Sequence, residues 1–132
     1  MSRPRLIYVG RVESAGADPT RRLLAEGVAL EPGAEVVLER RRSPWREERG
    51  TVRVIVGSQP GRADVHLAGD GVAPEHVRIY QADGRTELRP MQSAPTRVDG
   101  RDVSALEWVP LRGGEEIEIG PWKFRFEDAA SA

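Results

Sequence analysis

Cysteine is absent from all 132 residues of the chain. Its absence excludes disulfide bonds, thiolate metal sites and cysteine nucleophiles, and it is typical of a reducing compartment. The opening MSRPRLIYVGRV turns polar too soon for a signal peptide. No apolar run approaches the ~20 residues that a membrane span needs. We therefore expect a soluble, cytoplasmic protein without a membrane partner, and the length suits one domain.

Lysine is nearly absent as well, because nineteen arginines accompany the single Lys123. This bias is typical of a GC-rich, bacterial genome, although arginine also offers forked recognition of phosphate and carboxylate. The net charge of −1 gives no overall attraction to nucleic acid or membrane. The densest cluster, Arg40–Arg49, is interrupted by acidic residues and surrounds Trp45. It predicts an exposed loop, with a nucleic-acid contact as the less favoured alternative.

Groups that could carry catalysis or hold a metal are few. The two histidines, His66 and His76, have neither the spacing of a metal site nor a serine in a nucleophile elbow. Neighbouring carboxylates such as Glu115 and Glu116 point to opposite faces of a strand. The glycine-rich GSQPGR at 57–62 lacks the Gly-Lys-Ser/Thr of a nucleotide loop. We expect a non-enzymatic protein with no metal and no cofactor.

Short alternating segments dominate the chain. TVRVIVG (51–57) places Val52, Val54 and Val56 on one face and Arg53 with Ile55 on the other. Apolar and polar residues alternate in EEIEIG (115–120) and WKFRFE (122–127), and all three patterns predict strands. The Asp-Gly pair in QADGRTEL (81–88) predicts a two-residue hairpin turn. Turn residues recur roughly every 8–12 positions, and this spacing of short strands predicts an all-β sandwich.

Three local features complete this interpretation. TRRLLAEGVAL (20–30) is the only segment that favours a helical turn, which Gly27 would end. In ADVHL (63–67), alternation directs Val65 and Leu67 inward and leaves Asp64 and His66 exposed. The tail at 128–132 is predicted to be disordered.

The segment VRVIVGSQPGRADVHLAGDGVAPEHVRIY (52–80) resembles the first half of a forkhead-associated (FHA) domain. That family reads Ile-Gly-Arg, then Asp-Ile-x-Leu, then Val-Ser-x-x-His. Here Val56-Gly57 stand at the first motif, ADVHL (63–67) at the second, and Val72 with His76 at the third.

The resemblance continues to residue 127. TRVDG (96–100) is similar to the family's Val-Asn-Gly turn, and LRGGEEIEIGPWKFRFE (111–127) is similar to its closing strands. The resemblance implies an FHA-like β-sandwich of about eleven short antiparallel strands, with its core at 51–127. Residues 1–50 would add an N-terminal strand and the charged insertion, either inside the sandwich or as an element packed elsewhere.

The same resemblance implies a function, because the family binds phosphothreonine peptides at the loops of one end of the sandwich. Ser58 stands in place of the family's arginine, Ala73 in place of its phosphate-binding serine, and Asp99 in place of the asparagine that grips the peptide backbone. The Ser-x-Asn-Gly-Thr loop is reduced to SAPT (93–96). The residues that brace the loops or shape the turn are retained, namely Gly57, His76 and Gly100.

These replacements weaken an anion site. Hydrogen bonds to charged groups contribute ~1.5–3 kcal/mol each, so two losses reduce affinity about a hundredfold or more. At about 5 Å, Asp99 would repel a phosphate by on the order of 3 kcal/mol per charge pair. We predict a protein-interaction module that does not bind phosphothreonine by the usual site. The alternative is a phosphopeptide reader with a relocated arginine, Arg62, Arg97 or Arg101.

The predicted partner is therefore a protein, whether phosphorylated or not. It could dock on the sandwich face, on an edge strand or on the loop that carries Trp45, since exposed aromatic residues often act as binding hot spots. The competing interpretation of Trp45 is that it packs against Pro44 and the sheet.

Overall fold

Alternating apolar residues produce strands along most of the chain. The computed structural model describes residues 4–11, 23–38, 52–69, 71–82, 84–91 and 94–128. The charged insertion Arg40–Arg49 with Trp45, Ser93, and the tail beyond Asp128 lie outside these ranges, so the predictions on them stay predictions. Within these ranges there is no helix, and hence none long and apolar enough to cross a membrane.

The described ranges contain thirteen strands, where the resemblance implies about eleven. They are β1 (Arg5–Arg11), β2 (Leu24–Ala25), β3 (Val28–Ala29), β4 (Glu35–Val37), β5 (Val52–Gly57), β6 (Val65–Ala68), β7 (Val77–Ala82), β8 (Arg85–Pro90), β9 (Thr96–Val98), β10 (Arg101–Asp102), β11 (Val109–Leu111), β12 (Glu116–Ile119) and β13 (Trp122–Glu127).

The strands form two sheets, as the predicted sandwich requires. One has the order β10-β9-β12-β13-β1-β4, and the other has the order β11-β8-β7-β5-β6-β2-β3. β1 lies between β13 and β4, so the N-terminal strand is part of the sandwich. The prediction of purely antiparallel strands is wrong at one place, since β5 and β6 run parallel.

The core lies between the sheets and follows the alternation of each strand. Trp122, Phe124 and Phe126 of β13 point inward with at most 1% of their surface exposed. They meet inward residues of the opposite sheet, including Val54 of β5 and Ile79 of β7. Burial of this apolar surface is the main favourable term for the fold.

The helical prediction for 20–30 is wrong over the residues that the structure describes. Leu24–Ala25 and Val28–Ala29 form a hairpin, and Leu24 and Ala25 also pair with β6. Glu26 and Gly27 have φ angles of 50° and 81°, and two positive φ angles are typical of a tight hairpin turn. Pairing with β6 overrides the local preference, because helix propensity is only a weak prior.

The Asp-Gly hairpin of 81–88 is confirmed. Ala82 pairs with Arg85, and Gly84 between them has a φ of 73°. A similar turn joins β9 to β10, where Asp99 and Gly100 have φ angles of 52° and 78°. Aspartate tolerates this left-handed region better than most residues, so Asp99 suits the turn.

Candidate functional site

Four connections meet at one end of the sandwich and form a cluster that we name the loop end. It consists of residues 57–64, 69, 71–76 and 94–95 and the turn 120–121. The sequence-predicted residues Gly57, Ser58, Ala73 and His76 come together here.

Gly57 allows two of these loops to touch. A Cβ atom at this position would lie 2.1 Å from the Pro74 carbonyl oxygen and 2.7 Å from its carbon. The Ser58 N–H donates to the Ala73 carbonyl at 3.0 Å, and the Gln59 N–H donates to the Pro74 carbonyl at 3.3 Å. Only a residue without a side chain permits this approach, so Gly57 fixes the distance between the first two loops.

His76 joins the second loop to the third. The Ala73 N–H donates to Nδ1 at 3.0 Å, and Nε2 lies 2.9 Å from the Pro95 carbonyl oxygen. Because Nδ1 accepts, the ring proton resides on Nε2, which donates to Pro95. The ring has 0% exposure. Burial lowers the pKa of His76 from its ordinary value, while the hydrogen bond to Pro95 acts in the opposite direction.

The fourth connection is tied to the same carbonyl group. The Gly120 N–H donates to the Pro95 oxygen at 2.9 Å, so this oxygen accepts from both Gly120 and His76. Gly120 has a φ of 59°, and a Cβ atom there would lie 2.4 Å from the Gly71 oxygen. Sequence reasoning did not single out Pro95, because a backbone acceptor leaves no signature in residue type.

Asp64 is a second residue whose role the sequence analysis missed. It is fully buried, whereas alternation predicted exposure. Its Oδ2 accepts from the Ile55 N–H at 2.9 Å, and its own N–H donates to the Ile55 carbonyl at 2.8 Å. Asp64 therefore ties the end of the first loop to β5. It precedes β6, so the alternation of that strand does not govern it.

Arg62, the relocated arginine of the alternative prediction, is engaged by a carboxylate. Its Nη2 lies 3.2 Å from Glu75 Oε2, and Arg78 Nη2 donates to the other oxygen, Oε1, at 2.9 Å. The Arg62 side chain remains 51% exposed. Glu75 and Arg78 also line a cleft of about 290 Å³, together with Gln59, Pro74 and Met91. Arg62 and Arg78 thus share one acidic partner, Glu75.

The structure does not bring the remaining predicted residues to the loop end. β9 starts at the loop end with Thr96, and Asp99 follows three residues later. Because a strand rises about 3.3 Å per residue, Asp99 lies roughly 10 Å from Thr96. The Asp99 carboxylate accepts from the Glu116 N–H at 2.9 Å, at the start of β12, and Gly100 completes the same turn. The expected repulsion between Asp99 and a phosphate assumed about half that separation, so the geometry does not support it.

Arg97 and Arg101 lie along β9 and β10 and pair with carboxylates. Arg97 Nε donates to Asp102 at 2.8 Å, and Arg101 Nη1 donates to Glu107 at 2.8 Å. The hydrogen bond to Asp102 raises the pKa of Arg97, and the hydrogen bond from Arg101 lowers the pKa of Glu107. Neither arginine extends the loop end.

Besides the ion pair of Arg62 with Glu75, the loop end presents backbone groups and small side chains such as those of Ser58 and Ala73. In the ranges described above, no three His, Asp or Glu side chains cluster in a way that could hold a metal ion. Ser58 and Ala73 offer one hydroxyl group between them.

A protein-family model described as the FHA domain matches residues 54–120. Among solved structures, the FHA domain of CT664 from Chlamydia trachomatis is similar, with 22% identity, a TM-score of 0.61, and 96% of this chain and 98% of that chain covered. The N-terminal FHA domain of S. cerevisiae Rad53p, in complex with a phosphothreonine peptide, shows 18% identity and a TM-score of 0.60, with 82% and 92% covered.

A third similar structure is the cytoplasmic domain of the T3SS sorting platform protein PscD from P. aeruginosa. It shows 21% identity and a TM-score of 0.59, and the match covers 96% of this chain and 81% of that chain. No curated protein matches the chain. At these identities the three structures support the fold, and the family model supports membership.

Proposed function

The chain belongs to the FHA family of protein-interaction domains, and we propose that it binds a protein partner without using the phosphothreonine site typical of that family. The supporting observation is the meeting of Ser58 and Ala73. These two residues stand where the resemblance places the arginine and the serine of a phosphate site, and a backbone hydrogen bond of 3.0 Å joins them. The family's framework is therefore kept without its anion-binding groups.

The similar structures are compatible with this proposal. One is bound to a phosphothreonine peptide, and another belongs to a T3SS sorting platform protein, so one fold accommodates both contexts. Fold alone does not imply a ligand. The identity of the groups at the loop end carries the argument.

The direct test is a fluorescence-anisotropy titration against a library of phosphothreonine peptides and their unphosphorylated counterparts. We expect no measurable binding that depends on the phosphate. A micromolar complex that disappears after phosphatase treatment would contradict the proposal. The double variant Ser58→Arg with Ala73→Ser should gain phosphate-dependent binding of at least about tenfold, because each new group adds a hydrogen bond to a charged acceptor.

A phosphopeptide reader that uses Arg62 is the second candidate. It is favoured by the half-exposed side chain of Arg62 in the loop that begins at Ser58. Its ion pair with Glu75 is near the surface and costs about 1 kcal/mol or less to break. If this version holds, Arg62→Ala abolishes binding to the phosphopeptide, whereas Arg112→Ala, at an exposed turn outside the loop end, leaves binding unchanged.

A further inference from the structure

The outer face of the seven-stranded sheet is strongly basic. The outward positions of β5, β7 and β8 carry four arginines and one glutamate, which gives a local charge of +3: Arg53, Arg78, Arg85, Arg89 and Glu87. The whole chain has a net charge of −1. Positive charge is therefore concentrated on this face.

Two of these arginines stand directly opposite each other, since Arg78 of β7 pairs with Arg89 of β8. Like charges at opposed positions of a sheet are destabilising. Glu75 contacts Arg78 at 2.9 Å. In the described part of the chain no carboxylate contacts Arg89, whose Nε donates to the Leu106 carbonyl at 3.2 Å. Within the described residues, a carboxylate therefore offsets the charge of Arg78 but not that of Arg89.

Aromatic side chains border the same pair. The Arg89 guanidinium carbon lies 4.7 Å from the centroid of the Trp108 ring, and Tyr80 packs on Trp108 at 4.9 Å. Trp108 remains 47% exposed, and the nearby Leu106 remains 50% exposed. Tryptophan, tyrosine and arginine are the residue types most enriched at binding hot spots.

The cleft described above adjoins this face at the loop end, because Arg78 belongs to both. The Nε atom of Arg78 is buried and has no hydrogen-bond partner among the described residues. A buried donor without a partner is costly. The cleft of about 290 Å³ exposes another part of the Arg78 side chain, 18% of whose surface is accessible, to an acceptor group.

We propose that Arg78, Tyr80, Arg89 and Trp108 form a docking surface for an acidic segment of a partner protein. Carboxylates of the segment pair with the two guanidinium groups, and an apolar side chain packs on the exposed part of Trp108. Nucleic acid fits less well, because Arg89 already covers a Trp108 face needed for base stacking and Glu75 and Glu87 flank the arginines. The proposal does not depend on the state of the loop end.

The test uses the full chain and a fluorescein-labelled peptide of alternating glutamate and phenylalanine, with a peptide in which every glutamate is glutamine as the control. Anisotropy at low salt should show binding of the acidic peptide alone. Arg89→Glu should weaken it about tenfold and Arg89→Gln about threefold, because charge pairing across an interface is lost. Arg125→Gln is the matched control, since Arg125 is an exposed arginine of the other sheet.

Several outcomes would overturn the proposal. These are an acidic peptide that does not bind, equal binding of the glutamine peptide, or an equal loss in Arg125→Gln. An oligothymidylate that binds as tightly and loses affinity in Arg89→Glu would assign the face to nucleic acid. If the chain self-associates in analytical sedimentation and Arg89→Glu abolishes that self-association, the face would be assigned to a second copy of the chain. Circular dichroism verifies that each variant is folded.

Discussion

Two kinds of position at the loop end differ in their surroundings: Gly57 and His76, the brace positions, and Ser58 and Ala73, named contact positions because the resemblance assigns them to the ligand. Gly57 and His76 are buried, and each is limited on several sides by another loop. Ser58 and Ala73 are half-buried, and the hydrogen bonds described for them run through their backbones. Packing therefore dictates the residue type at the brace positions, whereas it leaves the side chains at the contact positions open to change.

The largest loss of stability is expected for Gly57→Ala, at a brace position. The new Cβ atom would collide with backbone atoms of Pro74, which cannot swing away as a side chain could. We expect a loss of about 3 kcal/mol in the free energy of unfolding, the upper part of the range for overpacked sites. Urea denaturation measures it. A loss below about 0.5 kcal/mol would show that the two loops separate freely.

A somewhat smaller loss is expected for His76→Gln. Glutamine can restore one of the two hydrogen bonds, so either the Ala73 N–H or the Pro95 carbonyl loses this partner at a partly buried contact. An unsatisfied buried group costs about 1–3 kcal/mol, and we expect about 2 kcal/mol by urea denaturation. His66→Gln serves as the control. An equal effect of the two substitutions would argue against a special role for His76.

The same histidine predicts a dependence of stability on pH. Burial lowers the pKa of His76 in the folded state below the ordinary 6.5, so the unfolded chain binds this proton more readily. The contribution of neutral His76 to the free energy of unfolding is complete above pH 6.5. It is lost as the pH falls from 6.5 towards the folded-state pKa, by at most ~1.4 kcal/mol per pH unit. Urea midpoints measured across this range should fall in the parent protein and in His66→Gln, and this part of the slope should vanish in His76→Gln.

The smallest effects are expected at the contact positions. Ser58→Ala and Ala73→Ser each change a half-buried side chain whose backbone carries the described hydrogen bonds. We expect both variants to stay within about 0.5 kcal/mol of the parent in urea denaturation, as is usual away from packed features. A loss comparable to that of Gly57→Ala would remove the distinction between the two kinds of position.

Much of the fold could be predicted from local pattern. The strands Val52–Gly57, Glu116–Ile119 and Trp122–Glu127 follow from period-two alternation, and the turn at Gly84 follows from the Asp-Gly pair. The hairpin at Leu24–Ala29 could not be predicted, because its pairing partner β6 lies some forty residues along the chain and pairs through Leu67 and Ala68. The parallel pairing of β5 with β6 is likewise a tertiary outcome.

The candidate site, like the fold, could be predicted from the sequence only in part. The resemblance pointed to Gly57, Ser58, Ala73 and His76, and the structure brings these four together. It had also grouped Asp99 with them, although a strand separates the turn of Asp99 from the loop end. Residue order along the chain does not reveal which end of a sandwich a turn occupies. That depends on the direction of each strand.

The sequence by itself determined the class of fold and the residue types available at the loop end, because alternation and turn residues act over a few neighbouring positions. Only the tertiary structure decided that the Pro95 carbonyl accepts from both His76 and Gly120, that Asp64 is buried, and that Arg78 faces Arg89. These contacts join strands distant in sequence, and their geometry depends on how the two sheets pack and pair.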